Sequence, residues 1–174
     1  MNVLALDPAN RTGFAHSDGY RGFVDLSRAV DTHPGQRLIR FSNWLEETLE
    51  QHTTELIAAE DASFGSVNPS VQAQHNELRG IIHLVAAEFG IDVKLFQPST
   101  IKLHATGHGN AKKHAMVAAC KRFLEIVPQD ENEADALWIL DLAKRPDCWP
   151  KQVEKRTKRA TTLPPQKRWQ KRML

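Results

Sequence analysis

The sequence predicts an α/β fold, a mixed β-sheet with helices on its faces, and three observations predict it. Three short apolar runs come first, and the Asp18-Gly19 pair between the second and the third is typical of a hairpin turn. Single apolar runs then alternate with helical patterns. The length of 174 residues favours one compact domain followed by a tail.

Five strands are predicted from short apolar runs. The first run ends directly at Asp7 and the fourth ends at Glu60, so we expect each acid at the C-terminal end of a strand. Ligands gather at this edge of an open α/β sheet. The predicted strands cover residues 3–6, 12–16, 22–26, 56–59 and 93–96.

Helices are predicted where apolar residues recur at three-to-four spacing. Over residues 36–52 this stripe consists of Leu38, Phe41, Trp44, Leu45 and Leu49. In the helix that follows residue 111 it consists of Met116, Val117, Cys120, Phe123 and Leu124. Further helices are expected over 71–89, with Gly90 as its C-cap, over 98–104 and over 133–143, and loops over 64–70 and 105–110.

The composition excludes several classes of protein. Hydrophobic residues make up 41% and charged residues 25%, so disorder over the whole length is not expected. The apolar runs are far shorter than the ~18 residues that a membrane span needs, and the first one runs straight into Asp7, unlike a signal peptide. The two cysteines form no CxxC pair, which indicates a reducing cytoplasm.

Charge divides the chain into two regions. Residues 144–174 hold 11 Lys and Arg against 2 Asp and Glu, whereas residues 1–143 hold 12 against 19. We therefore expect a folded domain over 1–143 and a basic tail over 144–174. A basic tail on an acidic body indicates a polyanionic partner, and Lys155 and Arg156 are candidate phosphate contacts.

Three carboxylates are candidates for a metal site. Asp7 and Glu60 end predicted strands, and Asp135 lies between two alanines that would let its helix pack closely on a sheet. Acids that converge at one sheet edge can bind Mg²⁺, and a pair of such ions can assist hydrolysis of a phosphodiester. The alternative is that each is an ordinary surface acid, with Asp7 capping the turn before Pro8.

Several motifs carry a resemblance to a known family. The first strand carries Leu4-Ala5-Leu6-Asp7-Pro8-Ala9, and this run resembles the first-strand motif of the RuvC-like Holliday junction resolvases, in the ribonuclease-H-like superfamily. Glu60 is similar to the second acid of that family, and residues 133–137 resemble its last-helix motif. Lys102 and Lys113 are similar to its basic pair around a Gly-x-Gly loop. The resemblance covers residues 1–143.

This resemblance implies a fold, an activity and a set of site residues. The fold would be ribonuclease-H-like, a five-stranded mixed sheet flanked by helices. The activity would be magnesium-dependent cutting of four-way DNA junctions by a homodimer, leaving 5′-phosphate and 3′-OH nicks, with Mn²⁺ as a substitute and with no membrane or nucleotide cofactor. The metal ligands would be Asp7, Glu60 and Asp135, Lys113 would lie near the scissile phosphate, and Lys102, Lys112 and Phe64 would contact DNA.

One position departs from the family. Asn132 stands where the family usually has an Asp, one helical turn before Asp135. Glu131 lies on the same helix face as Asn132, whereas Glu133 points to the far side. We expect Asn132 to be the fourth metal ligand. Two alternatives remain at this point: a nuclease of the same fold that acts on RNA or other branched DNA, and a catalytically silent DNA-junction-binding module, which Asn132 favours.

Overall fold

A single five-stranded sheet forms the centre of the protein. In this computed structural model, the described residues are 1–27, 33, 35–61 and 69–145. The strands are β1 (Val3–Asp7), β2 (Arg11–His16), β3 (Arg21–Asp25), β4 (Leu56–Glu60) and β5 (Asp92–Phe96). The helices are α1 (Gly35–Gln51), α2 (Pro69–Phe89), α3 (Pro98–Thr106), α4 (Lys113–Ala119), which continues as a π-helical segment (Cys120–Leu124), and α5 (Glu131–Ala143).

The strand order is β3-β2-β1-β4-β5, and the sheet is mixed as predicted. β1 pairs antiparallel with β2, and β2 pairs antiparallel with β3 through the predicted hairpin turn. The β1–β4 and β4–β5 pairs are parallel. Before β4 and again before β5, a helix (α1 and then α2) carries the chain back to the end of the sheet at which β1 starts. Asp7 pairs with Gly13 on one side, and Leu6 pairs with Ala59 on the other.

Each face of the sheet packs against its own group of helices. Because side chains alternate along a strand, Val3 and Ala5 of β1 lie in the core under α3, α4 and α5. Leu4 and Leu6 lie in the core under α1 and α2. Both faces of the central strands are therefore covered, which accounts for the uninterrupted apolar runs of β1 and β4.

The helices on the α1–α2 face are amphipathic. Phe41, Leu45 and Leu49 of α1 are buried, as the predicted stripe requires. In α2 the buried positions include Leu78 and Ile82, which face the same core. Across the described ranges of the chain, no helix combines the length and the hydropathy that a membrane crossing would need.

Gly13 lets α5 approach the sheet closely. A Cβ atom at Gly13 would lie 2.0 Å from the main-chain oxygen of Asn132, a distance that no side chain tolerates. Gly13 also pairs with Asp7 in the sheet. The start of α5 therefore lies directly over the end of β1, because β2 has no side chain at this point.

The structure corrects two details of the predicted helices. The loop predicted over 105–110 begins two residues later, because α3 continues to Thr106 and ends at Gly107, whose φ of 77° suits glycine. Phe123 is not part of the buried stripe, since it is 60% exposed. The π-helical segment after α4 has wider turns than an α-helix, which rotates Phe123 off the face that Met116 and Cys120 bury. The predicted loop residues 64–68 lie outside the described residues.

Candidate active site

Asp7 and Glu60 lie at the same edge of the sheet. They are the last residues of β1 and β4, two parallel neighbours whose C-terminal ends coincide. By alternation, Asp7 shares the face of Val3 and Ala5, and Glu60 shares the face of Ala58. Both side chains are therefore directed to the face that α5 covers.

Asp135 joins these two carboxylates from the helix. Ala134 and Ala136 are fully buried against the sheet, so Asp135 is held close to it and is itself half-buried. Its negative charge raises the pKa of both Asp7 and Glu60, which shows that the three carboxylates form one cluster. The structure thus brings together the three acids that the sequence singled out.

The cluster holds more negative charge than its surroundings balance. Burial, followed by the charges of Glu60 and Asp135, raises the pKa of Asp7 well above its ordinary value. Burial and Asp135 raise the pKa of Glu60 to about 7, and burial raises the pKa of Asp135 to about 6. Crowded carboxylate oxygens of this kind are the donor set that Mg²⁺ and Mn²⁺ prefer, so the residues present fit a hard divalent cation.

Two lysines approach the acids from neighbouring helices. The charge of Lys113, the first residue of α4, lowers the pKa of Asp7, Glu60 and Asp135. Lys102 of α3 acts in the same way on Glu60 and Asp135. The side chain of Lys113 is 58% exposed, and its Nζ lies 3.5 Å from Glu131 Oε2. Both lysines therefore remain available to a phosphate group that enters the cluster.

Some predicted site residues are not part of this cluster. Lys112 directly precedes α4, and its side chain is exposed. The predicted DNA contacts Phe64, Lys155 and Arg156 lie outside the described residues.

The first turn of α5 places Asn132 beside the cluster and adds an acid that sequence reasoning missed. Asp130 caps the helix, because its Oδ1 accepts a hydrogen bond from Glu133 N at 2.8 Å. Its charge also raises the pKa of Asp7 and of Asp135. Asn132 Nδ2 donates to Asp130 Oδ2 at 3.4 Å, so the Asn132 amide oxygen stays available. The Asp-x-x-Glu pattern of a helix start could have identified Asp130.

Glu133 lies away from the cluster, on the side of α5 that the helical spacing predicted. It is fully buried and forms an ion pair with Arg21 of β3. Its other oxygen accepts a hydrogen bond from Gln129 N at 2.7 Å. Glu133 therefore anchors the start of α5 to the sheet, and both of its oxygens are already occupied.

The strand order, together with carboxylates at the ends of β1 and β4 and on the crossing helix, defines the ribonuclease-H-like class of nuclease folds. The family described as crossover junction endodeoxyribonuclease RuvC matches residues 20–141. A RuvC protein from Rhodococcus opacus is 32% identical over 178 residues, covering 92% of this chain and 87% of the relative. The chain belongs to the RuvC family.

Solved structures show the same fold. Thermus thermophilus RuvC in complex with a Holliday junction substrate superposes with a TM-score of 0.66 at 21% identity, covering 80% of this chain and 90% of that one. The yeast mitochondrial Holliday junction resolvase Ydc2 gives a TM-score of 0.56 at 14% identity, covering 79% and 75%. The predicted ribonuclease-H-like architecture is confirmed.

Proposed function

We propose that this protein is a divalent-metal-dependent endonuclease that resolves four-way DNA junctions. The observation that carries the proposal is the cluster of Asp7, Glu60 and Asp135 at one sheet edge, with Lys113 and Lys102 beside it, in a chain of the RuvC family. A bound cation would relieve the repulsion among these carboxylates, and both the cation and the lysines would attract the phosphodiester group of a substrate.

The metal ligands would be Asp7, Glu60 and Asp135, with Asn132 as the fourth. Two Mg²⁺ ions, or Mn²⁺ in their place, would supply Lewis-acid stabilisation of the attacking and leaving oxygens of a phosphodiester. Burial of the carboxylates keeps their positions defined, because α5 and the sheet fix the backbone on both sides of the cluster. Asn132 contributes an uncharged oxygen, so the site carries one negative charge fewer than a site with four carboxylates.

The lysines would orient the substrate. Lys113 is close enough to the three acids for its ammonium group to attract a phosphate bound there. Lys102 adds a second positive charge from α3. Hydrolysis would form a bond between a water oxygen and phosphorus and would break the bond from phosphorus to the 3′ oxygen. The products are a 5′-phosphate and a 3′-OH, and no covalent enzyme intermediate is required.

Paired cuts would require two copies of the site. A four-way junction is roughly two-fold symmetric, and a homodimer with two-fold symmetry would present one acidic cluster to each of two opposing strands. Sedimentation of the protein at working concentration and with the junction bound tests this arrangement. Paired nicks should appear only under conditions in which the dimer is present.

The basic tail over 144–174, beyond the folded domain over 1–143, would add contacts to DNA. Deleting residues 150–174 removes Lys155 and Arg156 along with further lysines and arginines. Each phosphate contact that is lost should lower the slope of log affinity against log salt by about 0.9 on duplex DNA. Binding titrations at several salt concentrations measure this slope. An unchanged slope would show that the tail makes no contact with DNA phosphates. Phe64 can be tested separately as a junction contact by Phe64→Ala.

The decisive experiment compares substrates and metals. Purified protein is incubated with a synthetic four-way junction, a linear duplex and an RNA–DNA hybrid, with Mg²⁺, with Mn²⁺ and with chelator. We expect symmetric nicks in the junction alone, and none with chelator. Preferred cutting of the hybrid would indicate an RNA-directed nuclease of the same fold. Tight junction binding without nicking in either metal would indicate a silent binding module.

A further inference from the structure

A cluster of two histidines and an aspartate lies far from the acidic site. His16 is the last residue of β2, and it pairs with Leu4 of β1. Asp7 of the acidic site pairs with Gly13, which precedes His16 by three residues in β2. The two positions are three residues apart along the strand, about 10 Å. His16 also faces the opposite side of the sheet, the one that α1 covers, and His52 follows the end of α1.

Asp18 bridges the two imidazoles. Its Oδ1 lies 2.8 Å from His16 Nδ1, and its Oδ2 lies 2.7 Å from His52 Nδ1. One oxygen or nitrogen atom from each of the three residues lies within 4.8 Å of the other two. His16 is almost fully buried, whereas the side chain of Asp18 is 46% exposed and that of His52 is 20% exposed. The cluster is thus anchored in the protein on one side and open to water on the other.

The polar contacts around His16 fix the orientation of its ring. Its Nε2 lies 3.4 Å from Thr54 Oγ1, and that hydroxyl also lies 2.9 Å from the His52 carbonyl oxygen. Its Nδ1 lies 2.8 Å from Asp18 Oδ1 and 3.2 Å from the Asp18 main-chain nitrogen. His16 therefore directs Nδ1 towards Asp18, on the side of the cluster that is open to water.

A cation can lie between His16 Nδ1 and Asp18 Oδ1, and it can be a proton or a metal ion. A proton between these two atoms joins the ring of His16 to one oxygen of Asp18 and does not involve His52. A metal ion would use the lone pairs of both histidines and of Asp18 together, on the side of the cluster that water reaches.

We propose that His16, Asp18 and His52 form a binding site for a borderline-soft dication of the Zn²⁺ class. The ligands would be His16 Nδ1, His52 Nδ1 and one Asp18 oxygen, with water in the fourth tetrahedral position. Zn²⁺ takes nitrogen and oxygen ligands at about 2.0–2.2 Å, so its ligands lie roughly 3.4 Å apart. The contacts of 2.7 and 2.8 Å would open by about 0.6–0.7 Å to admit it. Imidazole nitrogens select such ions over Mg²⁺.

The neighbours of the cluster hold its ligands in place. Tyr20 stacks on His52, with ring centroids 4.3 Å apart and planes 8° apart, and its N–H donates to Asp18 Oδ1 at 2.9 Å. An ion at this site would join the β2–β3 turn to the segment between α1 and β4. It would therefore act as a structural clamp, independent of the acidic cluster and of the proposed junction cleavage.

Metal titration of the full-length, tag-free protein tests the site. After removal of metals with a chelator, Zn²⁺ is titrated calorimetrically in the presence of excess Mg²⁺, and Co²⁺ is added to a second sample for its visible spectrum. We expect one equivalent of Zn²⁺ and the intense absorption of tetrahedral Co²⁺. Asp18→Asn and His52→Gln should each weaken Zn²⁺ binding by about tenfold or more.

Two control variants separate this site from others. His83→Gln changes an exposed histidine on α2 and should leave Zn²⁺ binding unchanged. Glu60→Gln changes the acidic cluster and should also leave it unchanged. Loss of Zn²⁺ binding in Glu60→Gln, or displacement of Zn²⁺ by Mg²⁺, would assign the ion to the acidic cluster and overturn the proposal. So would unchanged binding in both Asp18→Asn and His52→Gln, or no binding up to about 1 mM Zn²⁺.

Discussion

Two groups of acids lie side by side in this protein, and arginine distinguishes them. Asp61 follows Glu60 directly, yet Asp61 forms an ion pair with Arg79, and within the described part of the chain Glu60 has no arginine partner. The same contrast occurs on α5. Glu133 forms an ion pair with Arg21, whereas the positive charges that act on Asp135 are those of Lys113 and Lys102. Neighbouring acids thus have opposite electrostatic surroundings.

This difference separates the acids that connect elements of the fold from the acids that we propose to bind a cation. The paired acids connect elements: Asp61 joins the end of β4 to α2, and Glu133 joins α5 to β3. The clustered acids destabilise the metal-free fold, because burial and mutual repulsion raise the pKa values of Asp7, Glu60 and Asp135. A protein keeps such strain where function requires it.

The sharpest test compares Glu60→Gln with its neighbour Asp61→Asn. Glu60→Gln removes a carboxylate that we propose as a metal ligand, so it should cost several kcal/mol of transition-state stabilisation, about a thousandfold in the cleavage rate. Asp61→Asn weakens a largely buried ion pair, so it should cost about 1–3 kcal/mol of stability and only a few-fold in rate. Single-turnover cleavage of a junction, with junction binding measured in parallel, records both. Equal losses in the two variants would contradict the division between the groups.

The second test moves the helix that carries Asp135. Gly13→Ala places a Cβ atom 2.0 Å from the Asn132 main-chain oxygen, so the start of α5 must shift. We expect the free energy of unfolding to fall by about 1–3 kcal/mol and cleavage to fall with it. Urea unfolding and cleavage assays measure the two effects.

Gly80→Ala is the matched control for Gly13→Ala. Gly80 lies within α2, and no atom is close enough to meet an added Cβ. This substitution should therefore raise the free energy of unfolding by up to about 1 kcal/mol, because alanine has the higher helix propensity. Similar behaviour of the two variants would show that the close approach of α5 at Gly13 has no energetic consequence.

The third test uses pH in the absence of metal. The pKa of Glu60 is about 7 in the folded protein against an ordinary value of 4.5, so the unfolded chain loses this proton first as pH rises. Stability should therefore fall between about pH 4.5 and 7. Glu60→Gln should raise the free energy of unfolding by about 1–3 kcal/mol at pH 8 and leave it unchanged at pH 4. Urea titrations with chelator at both pH values check this, and a gain at pH 4 would contradict it.

The smallest expected effect concerns the fourth ligand. Asn132→Asp adds a charge to the cluster and should lower the Mg²⁺ concentration for half-maximal cleavage by a few-fold. Glu131→Ala should change it little, because the Glu131 carboxylate lies beside Lys113. Metal titrations of cleavage rate measure both. A large loss in Glu131→Ala, with Asn132→Ala harmless, would assign the fourth ligand to Glu131 instead.

The sequence by itself determined the strands and the positions of Asp7 and Glu60 at the ends of two of them. Short apolar runs form buried strands, and a residue that directly follows such a run must lie at the sheet edge. Alternation along β1 and β4 then directs Asp7 and Glu60 to one face. These properties depend on neighbouring residues in the chain, so local patterns were sufficient to predict them.

Only the tertiary structure decided which acids are paired and which polar groups meet. Glu60 and Asp61 are adjacent in sequence, and only the packing of α2 brings Arg79 to one of them. The turn of the π-helical segment exposed Phe123, although its spacing fitted a buried stripe. His16 and His52 meet at Asp18 because α1 ends beside the β2–β3 turn. Such contacts join residues that are distant in the sequence. The distances between their side chains depend on how whole helices and strands pack, and a local sequence pattern does not contain that information.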